Sequence, residues 1–422
     1  MEPLYLVVLL FATVILLLNS FSRLLQRLSL PAPTLALLAG LLLGPHALGV
    51  LDLRLMTPDP QRLLEEVARF TLAVGLVGVA LRLPHGYWRK NRRWILGAIG
   101  IGMPVMFLTA TAVLALGTGL PILLALLIAA IITPTDPIVT TPIVTGSVAE
   151  EHVPERVRFN LSAESGLNDG LGVLFVMLAV LSITRPAGDA WLELLTRVLL
   201  WEVLGGAAIG LVAGFGLGRL FNYTKKQGLM EETSALGFVL ALALVVLGAS
   251  RVLAVDAVLA VFVAAAVFGQ VVPRSEAKRE DRIDDTVNRF VALPAFLLLG
   301  LSLPVDRWLR DGPWVAIVVL AALLLRRFVG IWVARPVFAP LHSRSETLFL
   351  SWFAPVGISA LLYATIAERH TGDPRIFPLA TLAITISVFV HGLSSMPWST
   401  WLQRRAEAAA EQNRVSGTND AP

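Results

Sequence analysis

Apolar runs near or above about 18 residues recur from one end of this 422-residue chain to the other. A run of that length crosses the hydrocarbon of a bilayer as a helix, because a helix satisfies its own backbone polar groups there. This feature excludes a soluble multidomain enzyme, a disordered protein and a disulfide scaffold. Composition agrees: 56% of residues are hydrophobic and 15% charged, against about 45–50% and about 25% in soluble chains. The absence of cysteine removes any disulfide framework, thiolate metal site or cysteine nucleophile. A formal charge of +4 on a polytopic chain reports orientation first, and no nucleic-acid partner is expected.

Hydropathy predicts thirteen transmembrane helices, starting near residues 4, 30, 63, 94, 119, 157, 191, 231, 252, 285, 313, 345 and 375. The first follows Met-Glu-Pro with no basic segment before it, so it reads as a retained span. Alternate loops are rich in Lys and Arg. One set carries Arg23, Arg27, Arg89, Lys90, Arg92, Arg93, Arg156, Arg158, Arg219, Lys225, Lys226, Arg274, Lys278, Arg279, Arg282, Arg335 and Arg344, and the polar tail 403–422 adds Arg404 and Arg405. The opposite set, among them Arg54, Arg62, Arg185 and Arg251, is less than half as large. That bias predicts an N-terminus outside and a C-terminus in the cytoplasm. The stretch from Arg274 to Asp285 reads as a solvated linker. Gly206, Gly210, Gly214 and Gly218 recur every fourth residue and predict a helix edge against which another backbone packs closely.

Against this apolar background the informative residues are polar ones at membrane depth, which sit in a cavity or are paired. Thr133-Pro134-Thr135-Asp136-Pro137 lies inside the fifth apolar stretch. Two prolines around Thr-Asp predict a broken helix whose freed backbone faces protein or water; the alternative is a loop with Asp136 solvated. Next, Asn160 to Gly170 reads Asn-Leu-Ser-Ala-Glu-Ser-Gly-Leu-Asn-Asp-Gly and leads into the apolar run 171–183. On a helix Ser162, Ser165 and Asp169 share one face, and Glu164 and Asn168 the adjacent one. A carboxylate among hydroxyl and amide oxygens suits a small hard cation; the alternative is a surface Asn-Asp-Gly turn. Ala354-Pro355-Val356-Gly357-Ile358-Ser359 interrupts the twelfth stretch. Paired interruptions in two halves point to a transporter site, with spans one to six repeating as eight to thirteen.

Arg326 and Arg327 fall within the eleventh stretch. One is expected to snorkel to the interface, and the other to pair with Glu164. Asp256 is expected near a helix end, and His391 as a hydrogen-bonded packing residue. No phosphate-binding glycine loop and no His-Glu-x-x-His motif occurs.

Thr-Pro-Thr-Asp-Pro, then His152-Val153-Pro154-Glu155-Arg156 and Leu161 through Gly170, resembles the NhaP-type monovalent cation/proton antiporters, nearest the bacterial relatives of fungal plasma-membrane antiporters. The match is dense from Pro134 to Gly172 and weaker over 287–304 and 352–364. The resemblance implies an all-α polytopic membrane protein with an inverted repeat and crossed discontinuous helices, the NhaA-like antiporter fold. Residues 1–90 and 187–310 would form an interface bundle, the latter with a linker helix. Residues 91–186 and 311–402 would form a mobile core, and 403–422 a short cytoplasmic tail. It implies a homodimer in the cell (inner) membrane and no cofactor beyond the transported ions. Asp169 would be the carboxylate shared by Na⁺ (or Li⁺ or K⁺) and H⁺. Asp136, Thr135 and Ser165 would line the Na⁺ site beside Asn168, and Glu164 would pair with Arg327. Asn168-Asp169 resembles the branch that exchanges one cation for one proton; the charge-moving branch has Asp-Asp there. Two departures stand out. Many relatives carry arginine where this chain has Val356, and Glu65 and Glu66 precede the third span, where some relatives use an acidic residue. An intramembrane aspartyl protease with an Asp136/Asp169 dyad, and a carrier or channel for another solute, are the rival readings.

Overall fold

The computed structural model describes residues 3–21, 31–231, 234–273, 290–338 and 343–418. Among them every regular element is a helix. Arg23, Arg27 and the 274–285 linker, with the basic residues it adds to the orientation count, lie outside the described residues.

The main helices are α1 (Pro3–Ser20), α2 (Ala32–Leu43), α3 (Pro60–Leu81), α4 (Arg92–Thr118), α5a (Ile122–Ile132) and α5b (Pro137–Val144), and α6 (Glu155–Thr184). There follow α7 (Ala187–Lys226), α8 (Ser234–Val252), α9 (Ala257–Val271), α10 (Phe290–Leu301), α11 (Pro313–Phe338), α12a (Arg344–Trp352), α12b (Ile358–Thr371) and α13 (Ile376–Thr418). Apart from α5b and α12b, the second halves of broken helices, each begins within about five residues of a hydropathy start. Local chemistry sets the boundaries. Asp59 caps α3 by accepting from the Arg62 amide at 2.9 Å, with Pro60 in the first turn. Ser343 and Glu346 form a reciprocal capping box at the start of α12a. Left-handed Gly119 and Gly372 terminate α4 and α12b.

Seven helices among the described residues are long and apolar enough to cross a membrane, or eight if α10 and the short helix after it, bent by 57°, count as one. The difference from thirteen has physical causes. Helix α12 is split into pieces of 9 and 14 residues, whereas the broken α5 still counts as one span over Ile122–Thr141. Helix α3 carries Arg62, Glu65, Glu66 and Arg69 within its first three turns, and α2 and α9 have only 12 and 15 residues. Helix α7 runs for 40 residues, about 60 Å at 1.5 Å per residue, twice a bilayer's hydrocarbon thickness.

The glycine edge packs as expected. Helix α7 lies on α9 so closely that a Cβ on Gly206, Gly210 or Gly214 would fall 2.6, 2.5 and 2.3 Å from the carbonyl oxygens of Asp256, Ala260 and Ala264. Only glycine admits such backbone contact. Glu65 and Glu66 correct their expected position. They lie within α3 rather than before it, and Glu65 is buried against Arg69 at 2.5 Å.

Candidate functional site

Two broken helices meet. The Asp136 amide donates to the Pro355 carbonyl at 2.8 Å, which joins the interruption of α5 to that of α12. The alternative loop with a solvated Asp136 is thereby corrected: the residue is fully buried. Pro134 and Pro137 cannot supply amide donors, so the backbone here finds partners outside its own helix. Asp136 caps α5b, with Oδ1 accepting from the amides of Ile138 at 2.7 Å and Val139 at 3.1 Å. Its Oδ2 accepts from the Ile358 amide in the first turn of α12b. One carboxylate therefore sits at the positive ends of two half-helices.

Arg326 does the opposite at the ends of the other two. Nη1 donates to the Thr133 carbonyl at 3.0 Å and Nη2 to the Ala354 carbonyl at 2.9 Å, at the C-cap of α5a and just past the end of α12a. Neither Arg326 nor Arg327 snorkels, since both are buried. The expected interface position is corrected because these carbonyls offer the first guanidinium acceptors that an acidic side chain would otherwise provide. The positive charge at the α12 break thus comes from α11, while Val356 contributes a backbone amide donated to Ser387 Oγ at 2.7 Å.

Arg327 meets Glu164 in a buried bidentate pair, with Nη2 at 3.0 Å from Oε2 and Nη1 on Oε1. Its Nε donates to the Leu350 carbonyl at 2.8 Å. A second bidentate pair, Arg156 with Glu346 at 2.9 and 2.5 Å, ties α6 to α12a. The pattern of motifs on α6 is therefore a helix buried among α5, α11 and α12, not a surface turn.

Asn168 reaches back to the α5 break. Its Oδ1 accepts from the Thr135 amide at 3.0 Å and its Nδ2 donates to Thr135 Oγ1 at 2.8 Å. Thr135 Oγ1 and Ser165 Oγ lie 3.0 Å apart. All three side chains are buried with Asp169. Asp169 itself differs from every other acid nearby: neither carboxylate oxygen has a hydrogen-bond partner. Its backbone is fixed instead, with the carbonyl accepting from the Tyr363 hydroxyl of α12b. On α12b the buried Ser359 hydroxyl faces Asp169 without a close hydrogen bond of its own. On the far side of α6, Gly166 and Gly170 flank Asp169 and pack on Phe262 and Leu259 of α9.

The structure thus brings Asp136, Thr135, Ser165, Asn168 and Asp169 together, with Glu164 and Arg327 beneath them. Sequence reasoning did not give the acceptors of Arg326, nor Tyr363 and Ser359; the third interrupted segment contains Ser359 but its spacing does not say what it faces. Asp256 is at a helix end, capping α9 through the amides of Val258 at 2.9 Å and Leu259 at 3.2 Å. His391 is buried, with Nε2 3.1 Å from the Trp352 carbonyl, and supports the α12 break. No group of three or more His, Asp or Glu side chains arranged for a resident metal ion occurs among the described residues.

Residues 9–401 match the family described as "Sodium/hydrogen exchanger, transmembrane". The chain is 27% identical over 385 residues to a "Na(+)/H(+) antiporter" of Schizosaccharomyces pombe, which covers 85% of this chain and 82% of that protein. It is 26% identical to "Na(+)/H(+) antiporter 2" of Zygosaccharomyces rouxii over 91% of its own length but 51% of that relative, so it spans about half of the longer protein. In fold it is similar to the sodium proton antiporter MjNhaP1 from Methanocaldococcus jannaschii at pH 8, with a TM-score of 0.73, 18% identity, and coverage of 95% of this chain and 100% of that one. Together with the crossed, broken helices, the family match over nearly the whole chain gives the conclusion that this protein belongs to the transmembrane sodium/hydrogen exchanger family.

Proposed function

We propose that the chain exchanges Na⁺, with Li⁺ or K⁺ as alternative cargo, for H⁺ across the cell membrane, one for one, by alternating access. The observation that carries this reading is Asp169: fully buried, with both carboxylate oxygens unpartnered, beside the partnered hydroxyls of Thr135 and Ser165. A carboxylate so placed holds a proton or a cation, because an ionised and empty group is costly at membrane depth. Cation and proton therefore compete for one site, and either neutralises it.

Na⁺ takes Asp169 as its charged ligand, with Thr135, Ser165 and an Asp136 oxygen alongside. Asn168 positions Thr135. The core, residues 91–186 and 311–402, moves past the interface bundle, residues 1–90 and 187–310, and carries the site with it. The Glu164–Arg327 pair is structural. Two copies associate as a homodimer, with the N-terminus outside and the C-terminus in the cytoplasm. The protease alternative needs two carboxylates sharing a proton. Asp136 is instead committed to three backbone amides, which weighs against a dyad.

The test is cation-driven proton flux in proteoliposomes with Na⁺, Li⁺ and K⁺ at several pH values. Exchange is expected to ignore an imposed membrane potential. Clear voltage dependence would overturn the one-for-one stoichiometry, and Asn168→Asp is the matching variant. Full flux in Asp169→Asn vesicles would overturn the shared-carboxylate mechanism.

A further inference from the structure

Where α12b runs into α13, polar contacts tie it to α3. Arg369 Nη2 lies 3.1 Å from Glu65 Oε1, and Gln61 Nε2 donates to Glu368 Oε1 at 2.6 Å. The other Glu368 oxygen accepts from the Phe377 amide at 2.9 Å, so α13 is joined to the same point. Behind Glu65 the charges alternate: Arg69 at 2.5 Å, then Glu66 at 3.7 Å from Arg69, then Arg251 of α8 at 3.6 Å from Glu66. The row runs from α12b through α3 to α8. It is separate from the Asp169 site.

Elsewhere, hydrogen bonds and ion pairs tie α12 to α5, α6, α11 and α13. Examples are Asp136, Arg156, Arg327 and His391. Among these contacts of α12, those with α3 cross from one proposed bundle to the other, and the examples above stay within the core. Their strength suits an attachment that opens. Arg369 is more than half exposed, so water replaces Glu65 at little cost. The fully buried Glu164–Arg327 pair could not be broken in this way.

We propose that Gln61 and Glu65 of α3, with Glu368 and Arg369 of α12b, form a latch that closes this end of the bundle and releases once in each transport cycle. This rests on the two-bundle exchange reading above.

The absence of cysteine makes the test direct. Gln61→Cys with Glu368→Cys supplies a unique thiol pair for a short, reducible bis-methanethiosulfonate. In proteoliposomes the unlinked variant is expected to exchange Na⁺ for H⁺. The linked protein is expected to fall to the background of empty liposomes, and reductant is expected to restore it. Full exchange while linked overturns the latch, and so does failure of the two thiols to link. A second measurement needs no transport. With Thr365→Cys as a reporter one turn deeper on α12b, Arg369→Gln is expected to raise the labelling rate by roughly two- to fivefold, the factor available from one partly exposed ion pair. An unchanged rate overturns the latch. If the cysteine-free parent shows no cation-driven flux, the exchange reading fails on its own, while link formation and labelling rate still judge the latch.

Discussion

Asp136 and Arg326 divide one crossing between them: the carboxylate holds the amides that begin α5b and α12b, and the guanidinium holds a carbonyl at the end of α5a and one just past the end of α12a. Half-helix ends at membrane depth leave backbone groups that water cannot reach. Each residue satisfies two such ends and opposes their dipoles. Replacing Arg326 by Leu removes two charge-assisted hydrogen bonds, of about 1.5–3 kcal/mol each. We expect a clear drop in the thermal midpoint of the detergent-solubilised protein. An unchanged midpoint would show that the crossing does not need the guanidinium.

The Glu164–Arg327 pair predicts an asymmetry. Glu164→Gln leaves a buried guanidinium without its charge partner and should destabilise by about 3–5 kcal/mol. The double variant Glu164→Leu with Arg327→Met removes both charges and should unfold later in denaturant than the single one. Equal losses would mean that each side chain acts independently.

Asp169→Asn should separate transport from stability. Because the carboxylate oxygens make no hydrogen bonds, the amide loses no partner and the melting temperature should not fall. Proton flux driven by Na⁺ should vanish. A variant that melts much earlier would point to a structural role for the carboxylate.

The α7–α9 contact is tested by two glycines on the same helix. A Cβ at Gly214 would lie 2.3 Å from the Ala264 carbonyl oxygen, whereas one at Gly216 meets nothing within 4 Å. Gly214→Val should therefore destabilise by about 1–3 kcal/mol or more through overpacking. Gly216→Ala should be neutral or stabilising by up to about 1 kcal/mol, as expected of a helix interior. Thermal midpoints of the two variants compare them directly.

Features carried by local chemistry were legible in the sequence. Prolines around Thr135-Asp136 announce a break, because the ring removes a donor wherever it stands. The four-residue glycine period announces a close helix contact, and the face shared by Ser165 and Asp169 follows from helical geometry. What was hidden depends on which backbone carbonyl lies opposite a side chain. Arg326 bonds to Thr133, 193 residues away, and carbonyls leave no mark in a sequence. An arginine pair beside one visible glutamate therefore read as one partner and one snorkeller. Glu65 was misplaced for a related reason: charges in the first turns of α3 resemble a loop until Arg69 and, more than 300 residues later, Arg369 are seen to pair with Glu65.

The seam between α6 and α9 has a mechanical consequence. On either side of Asp169, Gly166 and Gly170 offer no side chain to the Phe262 ring and Leu259. Attraction across such a surface is non-directional and spread over many weak contacts. Displacing one helix along the other trades one set of these contacts for a similar set. The seam behind the proposed ion site thus behaves as a low-friction bearing, and resistance to travel is concentrated in the few polar fastenings elsewhere.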